Sequence, residues 1–229
     1  MNEQPVQIQA RNAPVDWVSG LWNLPEGEVS QTAILLAHGA GVGMQSPFME
    51  GVARTLAQAG FPVLRFQYAY AERMQREGTR RPPDRKPMLL SVHRHALKAL
   101  RKRFPDARIV LAGKSMGARM SSYLAAEGED VAGLVYFGYP LHPAGKPDRL
   151  RTDAFPAIAQ PSLFLQGTRD ALCDLELLRP ALATYGGPVQ LEVLEGADHS
   201  FQVLKSHPQT EVEVFEDLLA RCVRWLQAL

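Results

Sequence analysis

The sequence predicts an α/β fold: a mostly parallel, doubly wound sheet with helices on both faces. Two observations carry this. From residue 32 onward, short apolar runs alternate with helix-like segments, which places a helix between successive strands. The runs are continuously hydrophobic rather than alternating, as in strands covered on both faces. With 229 residues, 46% of them hydrophobic and 21% charged, the chain has the length and balance for one substantial core. It reads as a single domain over 1–229.

The elements follow in order. Val15–Leu24 (VDWVSGLWNL) alternates and reads as an antiparallel edge strand or hairpin within the first 30 residues. Thr32–His38 (TAILLAH) is the first buried strand. Ser46-Pro47 supplies a cap and a first-turn proline for a helix with Val52 and Leu56 inward, stopped at Gly60. Further strands are Pro62–Tyr68, Arg108–Gly113, Val131–Phe137, Pro161–Leu165 and Val189–Leu194. The stretch ARMSSYLAAE after Arg108–Gly113 is helical. The last helix starts at Thr210, with Glu213 completing a capping box and Val212, Phe215, Leu219, Cys222 and Leu226 as its inward stripe. Ala69–Pro87, rich in Arg and Pro, and Gly138–Gln160, rich in Pro, read as loops at the carboxyl edge of the sheet.

Several classes of function are excluded or left without support. A formal charge of +1 gives no global field toward nucleic acid or an anionic membrane. The longest apolar runs, such as TAILLA and PSLFL, are too short to span a bilayer. The N-terminus has no basic start followed by an apolar run, and the two cysteines make neither a disulfide framework nor a metal set. A cytoplasmic, reducing location is therefore expected. Gly39-Ala40-Gly41-Val42-Gly43 fails as a dinucleotide loop, because Met44 stands where the third glycine belongs. His93 and His95 point in different directions on a helix and read as solvated; Cys173 reads as a loop or helix-start thiol. No metal or organic cofactor is expected.

The sharpest motif is Gly113-Lys114-Ser115-Met116-Gly117, which follows a buried strand and opens a helix. This is the G-x-S-x-G elbow in its strand–turn–helix context, where glycines allow close approach and the turn lifts the serine hydroxyl clear of the sheet. Asp170 lies just past the strand Pro161–Leu165, and His199 just past Val189–Leu194. The order Ser, Asp, His, each at the same sheet edge, suits a nucleophile, an orienting acid and a base. Asp198 is the rival acid, set behind Asp170 because adjacent loop residues rarely face one another. The oxyanion donors expected are the amides of Met116 and Ala40, with Gly41 as the fallback for the second. Between Ala69 and Lys86, six basic residues (Arg73, Arg76, Arg80, Arg81, Arg85, Lys86) stand against Glu72, Glu77 and Asp84. That excess suits either an anionic substrate or a solvated loop with internal ion pairs.

These motifs carry a resemblance. HGAG (38–41), GKSMGAR (113–119), FGYPLHPAGKP (137–147), GTRD (167–170) and GADHSF (196–201) resemble the α/β-hydrolase superfamily, in a bacterial branch of small predicted hydrolases near dienelactone hydrolase. The chain is also similar to the α/β-hydrolase-like domain of a subunit of the eukaryotic non-specific-lethal complex. The resemblance runs from about residue 30 to the C-terminus and implies Ser115, Asp170 and His199 as catalytic positions. Serine replaces the nucleophilic cysteine of dienelactone hydrolase, so that enzyme's substrate is not implied. The short connection between Val131–Phe137 and Pro161–Leu165 leaves no room for a large cap domain. The expectation is a serine hydrolase that cleaves a small carboxylic ester or related acyl bond through an acyl-enzyme. Its partner would be a small acyl substrate, with neither nucleic acid nor membrane. The alternative is a non-catalytic binding or scaffold module on the same fold.

Overall fold

A computed structural model describes residues 2–11 and 13–229. Eight strands form one sheet: β1 (Asn2–Gln9), β2 (Trp17–Leu24), β3 (Thr32–Ala37), β4 (Val63–Phe66), β5 (Arg108–Lys114), β6 (Gly133–Phe137), β7 (Ser162–Gly167) and β8 (Val189–Leu194). Their spatial order is β1-β2-β4-β3-β5-β6-β7-β8. The first two strands make an antiparallel hairpin, β2 pairs antiparallel with β4, and every other pair is parallel. The predicted mostly parallel sheet is what forms, and residues 138–161 between β6 and β7 hold one short 3₁₀ turn (Phe155–Ala157) and no cap domain.

The helices are α1 (Pro47–Gln58), α2 (Ala69–Glu77), α3 (Lys86–Arg103), α4 (Met116–Ala126), α5 (Leu175–Leu182) and α6 (Glu211–Ala228). Alternate strand residues feed two cores. Leu35, Leu111, Leu134, Tyr136 and Phe164 face α2 to α5, whereas Ile34, Leu36, Val110, Val135 and Leu163 face α1 and α6. Both faces are covered, which is why these strands read as unbroken apolar runs. Among the described residues, no helix is long and apolar enough to cross a membrane.

Three local expectations change, and one is resolved: of the two readings of Val15–Leu24 the hairpin forms, with β1 rather than β2 at the edge of the sheet. Pro5 and the polar residues of β1 fit an edge, where one row of amides needs no partner. Residues 69–87 are not one loop: α2 takes up 69–77, and α3 begins at Lys86. The start of α2 is anchored by buried Ala69, Tyr70 and Ala71, and Arg76 sits 3.8 Å over the Trp17 ring. On α6 the inward stripe is Val214, Leu218, Leu219, Cys222 and Leu226, whereas Val212 is 65% exposed. Positions 214, 218, 222 and 226 are four apart and share one face, whereas Val212 lies in the first turn of the helix, ahead of the first buried position. The capping box forms, with the Glu213 N–H donating to Thr210 Oγ1 at 3.2 Å and the Thr210 N–H to Glu213 Oε2 at 2.7 Å. Lastly, His93 is fully buried rather than solvated, because it lies on the face of α3 turned toward Phe66 and Tyr68.

Candidate active site

Ser115 sits at the tip of the turn from β5 into α4. Its φ of 52° and ψ of −111° lie where side-chain-bearing residues rarely go, at a cost of roughly 1–3 kcal/mol. The turn is held by Ser115 N–H donating to Phe137 O (3.1 Å) and Arg119 N–H donating to Ser115 O (3.1 Å). A Cβ at Gly113 would overlap the backbone of Gly117 and Ala118, and one at Gly117 would overlap the Ala37 carbonyl of β3. Glycine at these positions lets helix and sheet approach closely enough to present the hydroxyl.

His199 follows β8 and reaches across to Ser115. Its Nε2 lies 2.8 Å from Ser115 Oγ, and its Nδ1 lies 2.7 Å from Asp170 Oδ2. An ionised carboxylate only accepts, so Nδ1–H donates to Asp170 and Nε2 is left to accept from the serine hydroxyl. The Asp170 side chain is wholly buried, while His199 keeps 23% of its side chain exposed. Two more donors hold that carboxylate: Gln166 Nε2–H to Oδ2 at 2.5 Å, and Leu172 N–H to Oδ1 at 2.7 Å. Asp198 points elsewhere. Its Oδ1 accepts from the amides of Ser200 (2.7 Å) and Gln202 (3.0 Å), closing its own loop.

The loop after β3 comes alongside. Ala40, Ser115 and Met116 line one cavity of about 450 Å³ at the carboxyl edge of the sheet. Met116 is the first residue of α4, so its amide has no carbonyl one turn back to bond. The Tyr70 phenol donates to the Gly39 carbonyl at 3.3 Å, and Ala40 and Gly41 beyond it are both exposed. His38 braces this loop. Its Nδ1–H donates to Gly39 O at 2.8 Å, and its Nε2 accepts from Tyr68 N–H at 3.1 Å. Burial pushes the imidazole down to about 4, so it is neutral.

Sequence reasoning missed three residues around this assembly. Gln166 bridges the Asp170 carboxylate and the Tyr139 amide, donating to the first and accepting from the second at 3.0 Å. A glutamine ending a buried strand was the available signal. Lys114 donates to the His199 carbonyl at 2.5 Å, with its ammonium 5.4 Å from the centre of the Phe201 ring. Burial lowers it to about 8, with Asp170 and Asp198 opposing. A lysine inside the elbow pentapeptide was its signal. Phe201 takes a φ of 62° and stacks on Phe48 at 5.7 Å, fixing the loop that carries His199.

Half of the cations in the Arg-rich segment are paired within it. Arg73 pairs with Asp84 at 2.8 Å, Arg76 with Glu72 at 3.0 Å, and Arg81 with Glu77. Of its six cations only Lys86 lines the Ser115 cavity. Among the described residues, no group of three or more His, Cys, Asp or Glu side chains is arranged to hold a metal ion. Cys173 and Cys222 are buried, and burial pushes both thiols far above their ordinary range, away from nucleophilic chemistry.

A family model described as an alpha/beta hydrolase domain matches residues 30–227. The chain belongs to the α/β-hydrolase family. The match starts where the sequence resemblance does and takes in both the elbow and the His199 loop. Solved structures similar to this α/β hydrolase cover nearly all of it. The dienelactone hydrolase from Anabaena variabilis is 22% identical, with a TM-score of 0.76 over 99% of this chain and 97% of its own. An alpha-beta serine hydrolase homologue from Coxiella burnetii is 21% identical, with a TM-score of 0.73 over 96% and 98%. A serine hydrolase without a lid from Xanthomonas campestris is 20% identical, with a TM-score of 0.70 over 98% and 95%. At these identities the likeness is one of fold.

Proposed function

We propose that this α/β hydrolase is a serine hydrolase that cleaves small carboxylic esters or related acyl bonds through an acyl-enzyme, with Ser115 as nucleophile. The observation that carries the reading is the hydrogen-bonded chain Ser115 Oγ–His199 Nε2 and His199 Nδ1–Asp170 Oδ2, at 2.8 and 2.7 Å, opening on a cavity. The Ser115 oxygen attacks the carbonyl carbon while its proton passes to His199 Nε2. Asp170 holds the tautomer and stabilises the imidazolium. The amides of Met116 and Ala40 receive the oxyanion, each donor contributing about 2.7–4 kcal/mol in comparable sites. Collapse expels the alcohol, which takes the proton from His199. Water then repeats the attack on acyl-Ser115, giving its proton to His199, and the acid leaves as the serine is reprotonated. The short segment over residues 138–161 leaves the cavity open, which suits small or protruding acyl groups.

A fluorophosphonate probe tests the reading directly. Wild type should be labelled stoichiometrically, and Ser115→Ala should not be labelled while retaining its thermal transition. A well-folded wild type that resists labelling would overturn the proposal in favour of a binding module.

A further inference from the structure

The cavity beside Ser115 contains an unusual charge arrangement, to which the Arg-rich segment contributes only Lys86 among its cations. Arg119 on α4 and Arg151 in the segment after β6 both line it, together with Lys86 from the start of α3. Neither guanidinium has a carboxylate within ion-pair distance among the described residues. Arg119 donates through Nη2 to Tyr123 Oη at 3.1 Å, and its Nε is buried without a hydrogen-bond partner. Tyr123 in turn donates to Asp153 Oδ1 at 3.0 Å. Arg151 donates to the Pro140 carbonyl at 3.3 Å and is held below its ordinary range by burial and then by the positive charge of Arg119. The one carboxylate lining the cavity, Asp84, is neutralised by Arg73. Two like charges share a partly desolvated pocket, where each is costly unless paired.

Arg119 lies four residues beyond Ser115, on the same side of the helix and about 6 Å along its axis. A negative group held there would belong to a substrate whose reacting carbonyl is at Ser115. Taking Ser115 as the nucleophile, as proposed above, we infer that Arg119 and Arg151, aided by Lys86, form an anion-binding subsite. Its ligand is an ester whose acyl chain ends in a second, negatively charged carboxylate, a half-ester of a short dicarboxylic acid. The planar guanidinium forks suit bidentate contact with that group. The aliphatic lining at Leu89, Met120 and Leu172 accommodates the chain between the two ends.

The test compares ethyl butanoate with monoethyl succinate, which differ only in a terminal methyl or carboxylate. For wild type, kcat/KM should favour the succinate by about 10–100-fold, the range expected for a charge-assisted contact of about 1.5–3 kcal/mol. The preference should collapse toward unity in Arg151→Met and Arg119→Gln, recover in part in Arg151→Lys, and weaken at high salt. Calorimetric titration of monoethyl succinate into Ser115→Ala gives a readout that does not depend on turnover. Binding there, lost in Ser115→Ala/Arg151→Met, supports the subsite even if neither ester is hydrolysed. Equal kcat/KM for the two esters, or a preference unchanged in both arginine variants, would overturn the subsite and leave the serine hydrolase standing. Absent probe labelling would instead remove the hydrolase reading. No titratable binding to Ser115→Ala would overturn the subsite whatever the labelling shows.

Discussion

Two carboxylates compete for the His199 imidazole on sequence grounds, and their hydrogen bonds separate them. Asp170 gives Oδ2 to His199 Nδ1 and is itself held by Gln166 and Leu172. Asp198 spends its Oδ1 on the amides of Ser200 and Gln202. An amide oxygen at position 198 still accepts from both amides, so Asp198→Asn leaves the loop closed. An amide at position 170 allows an N–H to face Nδ1 and favours the wrong imidazole tautomer. Asp170→Asn should therefore lower kcat on the order of 10³–10⁴-fold, as tautomer loss does in such assemblies, whereas Asp198→Asn should stay within about tenfold of wild type, having lost only an outlying charge. Steady-state rates on a neutral ester, with thermal transitions as the folding control, decide the matter. The reverse order would reassign the orienting acid.

At the scale of elements, legibility followed how locally each element is specified. The parallel strands β3 and β5 to β8 and the elbow were readable because buried strands need unbroken apolar runs and the turn needs glycine at 113 and 117. Asp170 and His199 were readable because each comes just after a strand. The helix α2 was not, since its sequence is mostly polar and only its first turn is buried. Nor were Gln166, Lys114, Arg119 and Arg151 as a set, because they come from separate strands, a helix and a loop far apart in the chain. Arg65 shows the same limit. It lies in a strand that reads as apolar, yet it is fully buried, with Nε donating to Asn23 Oδ1 (2.9 Å), Nη1 to Met44 O (2.8 Å) and Nη2 to Glu3 Oε1 (2.6 Å). It thereby ties β1, β2 and the loop before α1 to β4. Arg65→Met keeps the apolar stem but removes all three donors. It should destabilise the protein by several kcal/mol, about 1–3 for each buried acceptor deprived of its donor. Chemical denaturation measures this, and a change below about 1 kcal/mol would show that the tie is dispensable.

For the molecule as a whole, two neutral histidines in one core set the response to acid. His38 and His93 are fully buried and are joined through Tyr68, whose N–H donates to His38 Nε2 and whose hydroxyl lies 3.1 Å from His93 Nδ1. Burial lowers His38 to about 4 and His93 to about 3, with Arg94 and His38 adding to the depression of His93. The ordinary value of 6.5 applies in the unfolded chain. Above that value both states are neutral at these positions, and stability does not depend on them. As pH falls from 6.5 toward 4, the unfolded chain takes up protons that the folded chain refuses. Each histidine then withdraws up to about 1.4 kcal/mol of stability per pH unit. The loss continues until pH falls through the folded values, where the native core is forced to accept charge. Between pH 6.5 and 5 most carboxylates remain ionised, so the histidines should dominate the slope there. Denaturation midpoints of wild type across that window should fall steadily, and those of His93→Gln, which cannot be protonated, should fall less steeply. Parallel slopes in the two proteins would mean that His93 is not held neutral in the core.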